Sequence, residues 1–120
     1  MSDTAWLEPM FKAIDKMDAA AFAAFLAEDV RFTFGSGEPV VGRQESEAAV
    51  AGFFSSIAGL QHEITDRWCI DNDAMVRGRV TYTRHDGSKL AVPFANVFKI
   101  KGDLIDDYQI YIDISTLYAS

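Results

Sequence analysis

From Thr4 to about Ala27 apolar residues recur every three to four positions, and Trp6, Met10, Ile14 and Met17 fall on one helical face. Asp18 breaks this run and reads as the N-cap of a second helix, AAAFAAFLAE, so two helices meet at a tight corner near Lys16–Asp18. Val30–Phe34 then alternates apolar and polar residues as a short strand. GSGEPVVGR holds three glycines and a proline in nine residues and predicts a loop. A third helix is expected from about Gln44 to Ile57, with Val50, Phe53, Phe54 and Ile57 as its apolar stripe and Gly59 ending it. Beyond it the period changes to two. Gln61–Ile70, Ala74–Arg84, Lys89–Ile100 and Leu104–Ile114 are rich in β-branched and aromatic residues and are separated by short polar turns. Four long strands joined this tightly form an antiparallel meander.

The order α-α-β-α-β-β-β-β, with helices and strands segregated, predicts an α+β fold: three N-terminal helices packed on a curved antiparallel sheet. At 120 residues the chain has room for one domain, 1–120, and one core. Helices on one face of a curved sheet leave a tapering space in which a pocket is expected.

Charge narrows the partners. The net charge is −7, with 18 acidic and 11 basic residues and no basic run, which disfavours nucleic acid and anionic membrane surfaces. The single cysteine, Cys69, rules out an internal disulfide and a multi-cysteine zinc site. It lies between Trp68 and Ile70 and reads as a small hydrophobe. His62 and His85 are far apart and form no HxH or HExxH spacing, so no metal is expected. MSDTAWLEPM has no positive region followed by an apolar run, so no signal peptide is expected and the cytoplasm is the default compartment.

The element order, together with FLAEDVRFTF, PVVGRQ, PFANVFKIKGDLI and YQIYIDISTL, resembles the nuclear transport factor 2-like superfamily and its SnoaL-like group. The resemblance implies a cystatin-like cone and a homodimer through the outer face of the sheet. It implies no single activity, because relatives include ketosteroid isomerases, polyketide cyclases, epoxide hydrolases and proteins that only bind. The isomerase positions fall on Phe34 for the base, Met10 and Phe54 for two tyrosines, and Asn96 for the oxyanion-hole acid. The epoxide-hydrolase Arg falls near Arg77, and its two Asp near Arg79 and Ile110. Neither acid–base set is present.

Alternation about Asn96 places Phe94 in the cavity, and the resemblance adds Arg79, Thr81, Tyr108 and Ile110, with Phe34 and Phe54 as further walls. Asn96 and Arg79 are expected to polarise a ligand oxygen, with His62 or Asp106 as the acid–base partner. Trp68, sharing a face with Ile64, Asp66 and Ile70, walls the pocket or plugs the core. Phe22, Phe32 and Phe53 read as core. Val76, Val80, Tyr82 and Tyr111 are assigned to the outer, dimer-forming face. The expected function is binding of a small apolar carbonyl or polycyclic compound, with cofactor-free isomerase, cyclase or hydratase chemistry. The alternatives are a carrier module without turnover and an accessory dimerisation domain.

Overall fold

A computed structural model describes residues 4–118. Helix α1 (Leu7–Asp15) buries Leu7, Met10, Phe11 and Ile14. A corner at Met17, with φ of 56°, leads to Asp18, whose carboxylate accepts the Ala21 N–H at 3.0 Å and caps α2. Helix α2 (Ala19–Ala23) is far shorter than the alanine-rich sequence predicts. Strand β1 (Leu26–Phe34) takes over, because Leu26 pairs with Ile105 and the Phe25 carbonyl accepts the Ile105 N–H at 2.9 Å. Sheet pairing here overrides local helix propensity.

The expected loop contains a short strand, β2 (Val40–Val41), paired antiparallel with β1 through Arg31 and Phe32. Helix α3 is Arg43–Ser55. Gly59 does not cap it: Gly59 opens β3 (Gly59–Ile70) and pairs with Thr83. Strands β4 (Asp73–Thr83), β5 (Lys89–Lys101) and β6 (Leu104–Ile112) complete the expected antiparallel meander. The sheet order is β2-β1-β6-β5-β4-β3, with β1 parallel to β6, so the sheet as a whole is mixed.

One irregularity sets the orientation of half of β3. Ile64 pairs with Gly78, but Asp66 pairs with Arg77, leaving Thr65 as the extra residue of a β-bulge. Gly78 makes the bulge possible. A Cβ there would lie 2.9 Å from the Glu63 carbonyl carbon and 3.0 Å from Ile64 Cα, and closer still to the Glu63 oxygen. Up to the bulge the even residues of β3, including His62, face the helices. Beyond it Trp68 and Ile70 face outward, and Arg67 turns inward to bond Glu8 on α1.

The core joins the helices to the inner face of the sheet. Leu7, Met10, Phe22, Leu26, Val30, Val76, Val80, Phe98, Ile105, Tyr108 and Leu117 are essentially inaccessible to solvent. Among the described residues no helix is long and apolar enough to cross a membrane.

Candidate functional site

The helices do not fill the space above the sheet. A cavity of about 170 Å³ remains, walled by Phe22 of α2, Phe32 and Phe34 of β1, Val50, Phe53 and Phe54 of α3, Leu60 and His62 of β3, Tyr82 of β4, Phe94 and Asn96 of β5, and Tyr108, Ile110 and Ile112 of β6. Exposed Glu38, on the loop between β1 and β2, lies at its mouth. For scale, an apolar cavity of about 150 Å³ admits a benzene ring. The rings pack edge-on or tilted, as their quadrupoles favour: Phe34 on Phe53 at 5.0 Å, Phe32 on Tyr108 at 5.3 Å, Phe53 on Tyr82 at 5.8 Å.

Two polar constellations interrupt this apolar wall. The first is His62, whose Nδ1 lies 2.6 Å from Oδ1 of Asp15. The other carboxylate oxygen of Asp15 accepts the backbone N–H of His62 at 3.1 Å. Asp15 ends α1 and His62 lies near the start of β3, so the packing of α1 on β3 builds the pair. A carboxylate against Nδ1 holds that nitrogen protonated and leaves Nε2 as the acceptor in the neutral ring. No described residue bonds Nε2. Phe11 and Phe94 fix the ring, with centroids at 4.9 and 5.2 Å. The outer side of the pair opens on a solvent cleft between α1 and β3 lined by Lys12, Lys16 and Arg67.

The second constellation is Asn96, 2% exposed, whose Nδ2 donates to Tyr108 Oη over a long 3.4 Å. Asn96 Oδ1 is buried with no partner among the described residues. Burial pushes the phenols of Tyr108 and Tyr82 well above their ordinary range, so both stay protonated.

The structure therefore brings seven of the sequence-derived candidates to one cavity: His62 and Asn96, with Phe34, Phe54, Phe94, Tyr108 and Ile110. Four others lie elsewhere. Arg79 and Thr81 pair with Pro93 and Ala91 on the outer face of the sheet, where Arg79 reaches only the Ala91 carbonyl at 3.4 Å. The β4–β5 register puts even residue against even, so Val76 and Gly78, not Arg77 and Arg79, lie beside Asn96 and Phe94. The same register moves Val76, Val80 and Tyr82 from the expected outer face to the inside. The bulge at Thr65 carries Trp68 outward, where it is 43% exposed and 5.9 Å from the Arg77 guanidinium. A hydrogen bond from that same guanidinium, at 2.7 Å, holds the Asp66 carboxyl below its usual range. Asp106 is the extra residue where the β5–β6 register shifts and does not line the cavity.

Several participants escape sequence reading. Asp15 sits 47 positions from His62 and looks like any helix-end acid. Phe22, Phe32 and Phe53 read as core and are cavity wall as well. Among the described residues no three His, Cys, Asp or Glu side chains gather as a metal site requires.

Solved structures with this architecture are numerous. A protein with a ketosteroid isomerase-like fold from Catenulispora acidiphila, in complex with trimethylamine, superposes with a TM-score of 0.86 at 18% identity, covering 96% of this chain and 90% of that one. A protein from Xanthomonas campestris proposed as a polyketide cyclase gives 0.84 at 20% identity, over 97% and 93%. An epoxide hydrolase of M. tuberculosis gives 0.78 at 13% identity, over 91% and 80%. At these identities the likeness speaks for the fold. No curated protein matches the chain in sequence. The model of the SnoaL-like domain matches residues 7–108, and the chain belongs to that family.

Proposed function

We propose that the protein holds a small, mostly apolar carbonyl compound of about one ring in its cone and moves a proton on it without a cofactor, as an isomerase, cyclase or hydratase does. The observation that carries this reading is the Asp15–His62 pair on the wall of an otherwise aromatic and aliphatic cavity. Asp15 fixes the tautomer, so the lone pair of Nε2 is available as a general base, and the protonated ring returns the proton as a general acid. The aromatic and aliphatic wall limits the access of competing water to the bound compound. The cavity volume favours one ring with short substituents over a polycyclic compound.

A second reading, a carrier without turnover, draws on the near absence of ionisable groups in the wall. Apart from the phenols of Tyr82 and Tyr108, which burial keeps protonated, His62 and Glu38 are the two among the described residues. We further propose that the outer face of the sheet, where Trp68, Met75 and Tyr111 are exposed, pairs two copies of the chain.

Nitrogen-15 NMR of the His62 ring tests the catalytic reading. Nδ1 should be protonated and Nε2 bare, and adding one-ring ketones such as acetophenone should shift the Nε2 resonance. An Nε2–H tautomer, or ketones that bind and leave Nε2 unmoved, would favour the carrier.

A further inference from the structure

The Asn96–Tyr108 pair makes a demand that a carbonyl alone does not meet. Asn96 spends an N–H on Tyr108 and is left with a buried Oδ1 that needs a donor. Tyr108 accepts that bond, so its own O–H is free to donate, and no described residue takes it. The two side chains thus present a vacant acceptor, Asn96 Oδ1, beside vacant donors, the Tyr108 O–H and the second Asn96 N–H. The orientation of the amide decides this: turned over, Oδ1 accepts the Tyr108 O–H and the group left over is Nδ2, which a ketone oxygen satisfies. As the amide stands, a ketone or ether oxygen takes the donors and leaves Oδ1 orphaned in a buried site, which is costly. A hydroxyl, both donor and acceptor in one atom, satisfies both.

We infer that the compound held in the cone carries a hydroxyl group, an alcohol, phenol or enol, seated between Asn96 and Tyr108. This rests on the reading that the cone binds a small ring compound. The placement suits the proton transfer as well. Asn96 is one same-face step, about 6.7 Å, along β5 from Phe94, whose ring packs on His62. A single ring seated by its hydroxyl at Asn96 therefore reaches toward His62.

Calorimetric titration of the whole chain with phenol, anisole and toluene separates the possibilities. The three probes share a ring and differ in offering a donor and acceptor, an acceptor only, or neither. Phenol should bind about tenfold more tightly than both others, the effect of one satisfied buried hydrogen bond. Tyr108→Phe should remove most of that advantage, so that phenol binds no more than about twofold more tightly than toluene. The wild-type series alone decides the matter if the variant fails to fold. Equal affinity for phenol and toluene, or anisole binding as tightly as phenol, overturns the hydroxyl seat while the binding reading stands. Failure of all three to bind overturns both.

Discussion

Replacing Gly78 by alanine tests the device that aims His62 and Trp68 to opposite faces of one strand. The added methyl meets backbone, the Glu63 carbonyl and Ile64 Cα, with no flexible side chain to swing aside. Overpacking of a rigid site costs up to about 3 kcal/mol. Opening the strands to relieve it sacrifices one or two ladder hydrogen bonds at about 1 kcal/mol each, for a total of about 4 kcal/mol. Against an ordinary stability of about 5–15 kcal/mol this is a large fraction. With a urea m-value of about 1.5 kcal/mol/M the midpoint should fall by about 2.7 M. Gly52→Ala is the matched control. It lies in α3 with nothing within 4 Å of the new Cβ, and should gain about 0.5–1 kcal/mol from helix propensity. Circular dichroism during urea unfolding measures both. A midpoint for Gly78→Ala within about 0.5 M of wild type would refute the close approach at the bulge.

Other perturbations probe other parts of the structure. Trp68→Glu and Tyr111→Glu, on the exposed outer face, should convert a dimer into a monomer by light scattering at micromolar concentration, and a monomeric wild-type chain would contradict the proposed interface. Tyr82 and Tyr108 titrate higher folded than unfolded, so their stabilisation is complete below the unfolded value of about 10 and is lost as pH rises beyond it. Each should lower stability by about 1.4 kcal/mol per pH unit there. Tyr82→Phe should flatten the urea midpoint measured from pH 9 to 11.5, and an unchanged slope would count against its burial. Asp15→Asn replaces an acceptor-only carboxylate with an amide that can also donate to Nδ1, so the His62 tautomer is no longer fixed. It should slow proton transfer at least about tenfold with little change in ligand affinity, and equal losses in rate and affinity would make Asp15 merely structural.

Much of this architecture is legible in the sequence because hydrophobic period and turn chemistry are local signals. The helical spacing of Met10 and Ile14, the Asp18 cap and the three β-hairpins need no tertiary information. The errors arise where distant pairing decides. Leu26 joins a strand because Ile105 is waiting for it, although the alanines beside it favour a helix. Arg79 and Thr81 fall on the wrong face because a one-residue difference in the β4–β5 register inverts every side chain of the strand. Trp68 is misplaced by the bulge at Thr65, which breaks an alternation that the sequence alone presents as continuous. For the site, Asn96, Phe94, Tyr108 and Ile110 were readable as one cavity wall. The partner that gives His62 its chemistry was not, since only the packing of α1 on β3 brings Asp15 to it.

Exchange of hydrogen for deuterium in D2O tests the catalytic proposal most directly. One-ring ketones bearing an acidic C–H and a hydroxyl, incubated with the protein, should take up deuterium at that carbon faster than in buffer. Removing the base with His62→Gln should slow the uptake about 10²- to 10⁴-fold while binding persists. Exchange at the same rate with wild type and His62→Gln, in compounds that demonstrably bind, would contradict proton transfer by His62 and leave a binding protein.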